Sequence, residues 1–183
     1  FGALSVISGA ALYSAIQDAK ATSFLVDMKE IAKSYESYYI DTGLHPKTDP
    51  LNASGLYLKT ASDLVNNPSV AGWSGPYTSY NSNSFYLHYP KYNNLHIAIL
   101  SDNDTSWGKS TPWTTGYCTT GKKCSVYVMI NGVIEESMLK SVDIKVDGKD
   151  DSTLGDFKYT YYTNPSNSYA AMLKIMTIEN PND

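Results

Sequence analysis

The chain has 183 residues, and its 14 lysines and no arginine stand against 18 acidic residues, giving a formal net charge of −4. A nucleic-acid binder carries a basic surface rich in arginine, so we expect no nucleic-acid partner. Charged residues make up only 17% of the chain and tyrosine is common, at 16 residues. This composition excludes intrinsic disorder and is typical of proteins that work outside the cell.

The first predicted element is one long helix. Residues 1–17 carry no charge. An apolar stripe then recurs every three or four residues, formed by Phe24, Met28, Ile31, Tyr35 and Tyr38. This spacing predicts a helix of about 40 residues that ends at Gly43, a natural C-cap. Such a helix is about 60 Å long, more than a head of the remaining residues can bury. We therefore expect residues 1–23 to stand outside a head formed by residues 24–183.

The uncharged end of this helix needs burial elsewhere. It is shorter than the roughly 20 apolar residues that span a bilayer, so burial against copies of the same chain is the main expectation. A plain membrane anchor is the alternative. The large apolar side chains that would form the assembly helix are Phe1, Leu4, Val6, Ile7, Leu12 and Ile16.

The rest of the chain predicts a sheet. An irregular loop covers residues 43–83, with a helical turn at Thr60–Asn66. Strand-like runs follow at Phe85–Tyr89, His96–Leu100, Ser125–Asn131, Phe157–Thr163 and Tyr169–Ile178. Several alternate apolar and polar residues, as half-buried antiparallel strands do. Asn131-Gly132 predicts a hairpin turn leading into a strand at Val133–Glu136. We therefore predict an α+β fold, with the long N-terminal helix packed on an antiparallel sheet of residues 84–183.

The two cysteines, Cys118 and Cys124, flank a short run with a central glycine. A zinc site needs two more ligands at a recognisable spacing, and the three histidines are scattered. The favoured interpretation is a small disulfide loop formed in an oxidising compartment, and the zinc site stays as the alternative.

Four stretches of the chain carry a family resemblance. The run Gly2-Ala3-Leu4-Ser5-Val6-Ile7-Ser8 through Tyr13, and the helix end from Tyr35 through Gly43-Leu44-His45-Pro46, resemble the N-terminal helix of type IV pilins and type II secretion pseudopilins. Trp73-Ser74-Gly75-Pro76-Tyr77 is similar to the major pseudopilin loop, and the late turn from Val142 to Gly155 is similar to one found in many such subunits.

The resemblance implies a type IV pilin fold and a structural, non-enzymatic role. The chain would polymerise with identical subunits, and with other filament subunits, into an extracellular type IV pilus-like filament at the cell surface. Before assembly it would sit in the inner membrane. Further residues, beginning with a methylated N-terminus, would precede Phe1. The alternatives are a pseudopilin in a periplasmic secretion piston and a membrane-anchored monomeric binding module.

No cofactor is expected, with one candidate exception in the late turn. The carboxylates of Asp147, Asp150, Asp151 and Asp156 cluster near glycines, and hard oxygen ligands of this kind suit Ca²⁺. Some pseudopilins hold calcium in a late loop, so the resemblance favours the site. The alternative is a solvated acidic turn held by hydrogen bonds from side chain to backbone.

Overall fold

The computed structural model describes residues 2–49, 57–92, 94–102, 116–163 and 167–183, with side chains from residue 9 onward except that of Tyr57. The helices are α1 (Gly2–Thr42) and α2 (Glu136–Asp147), with a 3₁₀ turn at Ala61–Leu64. The strands are β1 (Tyr57–Lys59), β2 (Ser82–Asn83), β3 (Tyr86–His88), β4 (Asn94–Ser101), β5 (Cys124–Val133), β6 (Phe157–Tyr162) and β7 (Ser168–Ile178). The expected α+β class, with an N-terminal helix and an antiparallel sheet, is confirmed.

The long helix α1 ends as the sequence predicts. Gly43 adopts a φ of +67°, a left-handed conformation that glycine takes without a side-chain clash. Its N–H donates to the carbonyl of Tyr39 at 2.8 Å. The predicted apolar stripe faces the core, since all five of its members are at most 1% exposed. One face of the second half of α1 is therefore a wall of the head.

Every strand pairing in the sheet is antiparallel. The strand order is β2-β3-β4-β5-β7-β6, and β1 also pairs with β4. β3 pairs with the start of β4, whereas β1 pairs with residues Ile97–Ile99 farther along it. Two short strands thus share one side of β4, and β6 lies at the end of the sheet.

One face of the sheet carries the main core. There, Ile97, Val128 and Leu173 pack in one cluster with Ile31 of α1 and Leu139 of α2. A smaller cluster on the second face is formed by Leu58, Ala98, Leu100, Tyr127, Met129, Ala170 and Met172. β4 and β5 are therefore buried on both faces along most of their length, and the expectation of half-buried strands is wrong for them.

The predicted hairpin at Asn131-Gly132 is also wrong. β5 continues through this dipeptide to Val133, and its register against β7 shifts between Asn131 and Val133. Gly132 has a φ of +85°, so its conformational freedom forms a bulge in one strand rather than a turn between two. The chain then enters α2 instead of the predicted strand, and α2 packs against α1.

The loop between the 3₁₀ turn and β2 is fastened to the end of α1. Asp41 accepts hydrogen bonds from the hydroxyls of Ser74 and Tyr77, and Ser34 of α1 donates to the carbonyl of Tyr77 at 2.8 Å. Trp73 donates its ring N–H to the carbonyl of Asp63 at 2.9 Å. The Trp-Ser-Gly-Pro-Tyr run therefore joins α1 to the 3₁₀ turn.

Candidate assembly surface and other predicted sites

The exposure of α1 changes sharply along its length. From Gly9 to Lys20 every residue is exposed except the partly buried Gln17. Among the described side chains, that of Ala21 is the first that is fully buried. Among the exposed residues, Leu12 is 63%, Tyr13 61% and Ile16 45% accessible. An apolar surface on a rigid helix therefore leads directly out of the head.

Part of the predicted assembly helix can be placed. Leu12 and Ile16 lie on this exposed segment. Phe1 lies outside the described residues, and so do the side chains of Leu4, Val6 and Ile7. Within the part of the chain that is described, no helix has a long and apolar enough stretch to cross a membrane.

Ion pairs surround the point where α1 leaves the head. Lys145 of α2 contacts Asp18 at 2.7 Å, and Lys20 lies 3.7 Å from Glu135. On the neighbouring side, Lys91 contacts Asp27 at 2.9 Å. Each pair joins α1 to another part of the head at the point where the exposed segment begins.

A cavity of about 550 Å³ opens beside these ion pairs. Its apolar part is formed by Phe24 of α1, Tyr92 of the β3–β4 turn and Met138 of α2. The Phe24 and Tyr92 rings meet edge to face, with centroids 5.8 Å apart. The Tyr92 hydroxyl donates to Glu135 at 2.9 Å, and burial together with the Glu135 carboxylate raises the pKa of Tyr92. The polar lining is formed by Lys20, Ser23, Lys91 and Glu135.

The two cysteines lie at disulfide distance, with their Cα atoms 5.7 Å apart. The final residues described hold the loop between them. The Asn180 side-chain amide donates to the carbonyls of Thr119 at 2.8 Å and Lys122 at 3.0 Å. The Gly121 N–H donates to the Asp183 carboxylate at 2.7 Å. The disulfide loop is therefore joined to the segment that follows β7.

The four predicted calcium ligands mostly bind groups of the protein itself. Asp147 accepts from the backbone N–H groups of Asp156 and Phe157, each at 2.9 Å. Asp151 accepts from the N–H and hydroxyl of Thr153, and Asp150 accepts from the Tyr159 hydroxyl at 2.7 Å. Among the residues described, no group of three or more His, Cys, Asp or Glu side chains is arranged to hold a metal ion.

A carboxyl group that the sequence analysis did not single out lies beneath this turn. Asp143 of α2 is fully buried and accepts from the backbone N–H of Asp151 at 2.6 Å. Burial, with the negative charges of Asp147 and Asp150, raises the pKa of Asp143 to about 7. Its other carboxyl oxygen, Oδ1, is buried and has no hydrogen-bond partner among the described residues, which favours the protonated, uncharged form.

Sequence analysis also missed the cavity. Its walls come from residues 19–24, 91–92 and 135–138, which are distant in sequence and meet only because α2 packs on α1. One signal was available, since Met138, Leu139, Val142 and Val146 recur at helical spacing and predict a helix there.

Comparisons with known proteins find no matching family model, no similar curated protein and no similar solved structure.

Proposed function

We propose that this chain is a structural subunit, with a type IV pilin fold, that polymerises through α1 into an extracellular type IV pilus-like filament. The observation that carries the proposal is the change along α1 at Ala21. After this residue one face of the helix is buried in the head, and before it the described residues expose large apolar side chains.

Burial of the exposed segment supplies a driving force for association. Fully burying a large apolar side chain contributes about 1.5–3 kcal/mol. Leu12, Tyr13 and Ile16 can each gain part of this on contact with other copies. The sequence has further apolar residues, Leu4, Val6 and Ile7, ahead of this segment. Together they compete with an association cost of about 4–15 kcal/mol.

The proposed filament needs an open contact between two different surfaces of the chain rather than a closed pair. The exposed segment is at one end of an elongated subunit and the folded head is at the other. A contact between two different surfaces of the same chain repeats head to tail, and it produces a filament when the rotation does not close. The assembly surface is therefore suited to helical growth, with α1 segments inside and heads outside.

The exposed apolar side chains also support a location and partners for the subunit. A segment with exposed apolar side chains needs an apolar environment before assembly, so we place the unassembled subunit in the inner membrane. Identical subunits, with other filament subunits, are the partners. The proposed role is structural and involves no catalysis.

A second candidate is a pseudopilin in a periplasmic secretion piston. It is favoured by the Trp73–Tyr77 loop, which holds the end of α1 through Asp41 and is similar in sequence to the pseudopilin loop. Labelling with gold-conjugated antibody distinguishes the two locations. Filaments on the cell surface support the pilus, and filaments confined to the periplasm support the piston.

The test compares two aspartate substitutions on α1. Leu12→Asp places a carboxylate in the proposed contact, where an unpaired charge costs several kcal/mol. Ile40→Asp is the matched control, since Ile40 is also apolar and 79% exposed but lies in the head half. Electron microscopy should show filaments from the unaltered chain and Ile40→Asp but none from Leu12→Asp. Normal filaments from Leu12→Asp would leave a monomeric, membrane-anchored binding module as the better account.

A further inference from the structure

The two cysteines are buried although the loop between them is not. Cys118 and Cys124 are both 0% exposed, whereas residues 119–123 are exposed except for the partly buried Lys122. The Oδ1 atom of Asn180, in the segment that follows β7, lies 3.2 Å from the Cys118 Sγ. The Asn180 side chain therefore packs directly on one sulfur atom of the disulfide.

Further hydrogen bonds hold the same segment on the loop. The Thr120 hydroxyl donates to the carbonyl of Asn182 at 3.0 Å, and the Asn182 side-chain amide donates to the carbonyl of Cys118. The Gly121 N–H donates to the Asp183 carboxylate at 2.7 Å. With the two bonds from the side-chain amide of Asn180, these contacts follow the loop from one cysteine almost to the other.

The covered sulfur atom is a possible point of attack in thiol–disulfide exchange. In this reaction a thiolate attacks one sulfur atom and forms a mixed disulfide, and the second cysteine sulfur leaves as a thiolate. A second thiol then resolves the mixed disulfide, which leaves two cysteine thiols and the oxidised reagent. The attack needs access to the sulfur. A thiolate can therefore reach Cys118 on this side only after Asn180 has moved away.

The covering segment can open without unfolding the head. Residues 181–183 are exposed and Asn180 is partly buried, so the segment is held by hydrogen bonds rather than by buried apolar side chains. Segments of this kind open locally at a lower free-energy cost than global unfolding. The strands β5 and β7 can remain paired while it opens.

We propose that residues 180–183 form a latch that controls thiol–disulfide exchange at the Cys118–Cys124 disulfide. The closed latch protects the disulfide from thiols. The open latch admits a thiolate to the Cys118 Sγ while the rest of the head stays folded. The inference concerns the head alone and does not depend on filament assembly.

The first experiment measures reduction of the folded whole chain by dithiothreitol without denaturant. Samples are quenched with iodoacetamide, and mass spectrometry counts the alkylated cysteines. Asn180→Ala removes two hydrogen bonds and the contact with Sγ, and we expect reduction to become about tenfold faster. Asn83→Ala is the matched control, because this exposed asparagine of β2 donates to the Tyr86 hydroxyl instead. It should leave the rate unchanged.

A second variant weakens the latch from the side of the loop. Thr120→Val keeps the shape of the side chain and removes only the hydroxyl that donates to Asn182. Loss of this one hydrogen bond should make reduction about fivefold faster. Circular dichroism checks that each variant is folded.

A third variant separates opening of the latch from global unfolding. Ile31→Val shortens a fully buried side chain of the main core, so it lowers the global stability and leaves the latch unchanged. If the latch controls access, Ile31→Val should be reduced as slowly as the unaltered chain.

Three results would overturn the latch. Equal reduction rates for the unaltered chain and a folded Asn180→Ala variant would show that Asn180 does not protect the disulfide. Faster reduction of Ile31→Val, in proportion to its unfolding constant, would show that exchange requires global unfolding. Alkylation of both cysteines before dithiothreitol is added would show that there is no disulfide to protect.

Discussion

The carboxylate of Asp147, at the end of α2, accepts a hydrogen bond from the backbone N–H of Phe157, the first residue of β6, at 2.9 Å. Two residues farther along β6, the Tyr159 N–H donates to the carbonyl of Ser152 at 3.1 Å. Since β6 lies at the end of the sheet, these N–H groups point away from β7. The turn after α2 therefore covers part of a sheet edge that would otherwise invite pairing with another chain.

Asp147→Asn tests this role. The amide lacks the negative charge and has one acceptor oxygen instead of two, so hydrogen bonds to Asp156 and Phe157 are weakened. Hydrogen bonds to a charged group contribute about 1.5–3 kcal/mol each, and we expect a loss of about 2 kcal/mol in the free energy of unfolding in urea. Asp156→Asn is the control because its side chain is 63% exposed and should cost under about 0.5 kcal/mol.

The hydrogen bonds that Asp147 and Asp151 accept also predict how the melting temperature of the protein responds to a chelator. Both carboxylate oxygens of Asp147 and one of Asp151 already accept N–H groups, which leaves fewer free lone pairs to coordinate a calcium ion. We expect the melting temperature of the protein to stay unchanged in excess EDTA. A decrease that calcium reverses, and magnesium does not, would contradict this expectation and restore the calcium site.

The raised pKa of Asp143 predicts how the stability of the protein depends on pH. Burial and the neighbouring carboxylates raise its pKa to about 7, above the value of about 3.9 expected in the unfolded chain. The folded state therefore holds a proton that the unfolded state releases. The resulting stabilisation is fully present below about pH 4 and is lost as the pH rises through about 7.

Asp143→Asn isolates this contribution, because asparagine does not titrate at these pH values. Melting temperatures measured between pH 4 and pH 8 should fall less steeply for Asp143→Asn than for the unaltered chain. Parallel curves would contradict the raised pKa of Asp143.

Opening the disulfide loop should destabilise the head moderately. Loop-closure entropy for a loop this short gives about 2 kcal/mol. Chemical denaturation with and without reductant should show this difference, and the Cys118→Ser/Cys124→Ser double variant should not respond to reductant. Hydrogen exchange should increase at residues 180–183, whose contacts depend on the closed loop. Free thiols at both positions in the unreduced protein would contradict the pairing.

The helix and most of the strands were predictable because each depends on local periodicity. The stripe from Phe24 to Tyr38 has helical spacing, and the apolar runs of β4, β5 and β7 have the length of strands. Gly43 predicted the end of α1 because few other residues adopt the φ of +67° that this position has. These signals are contained within short windows and need no knowledge of the rest of the fold.

Features that depend on tertiary contacts were not predictable in this way. The Asn131-Gly132 dipeptide is compatible with either a hairpin turn or a bulge. The bulge forms because β5 pairs with β7 on both sides of it. The cavity needs the β3–β4 turn and α2 to meet α1, and no local pattern places Tyr92 next to Glu135. The burial of Asp143 likewise depends on how the turn after α2 folds back.

The last prediction separates folding from assembly on a single helix. Ile31 is fully buried in the main core, where an unpaired carboxylate costs several kcal/mol, a large fraction of the stability of a domain. Ile31→Asp should therefore unfold the head and remove its cooperative melting transition by circular dichroism. Ile40→Asp should melt normally, since that position is exposed.

Leu12→Asp completes the comparison. It should keep a normal melting transition of the head while abolishing filaments, because Leu12 lies outside the core and within the proposed contact between copies. The two aspartates are equally charged and lie 19 residues apart on one helix, so different outcomes can only reflect what each position contacts. Unfolding of the head by Leu12→Asp would show that the first half of α1 also stabilises the head and would contradict the division at Ala21.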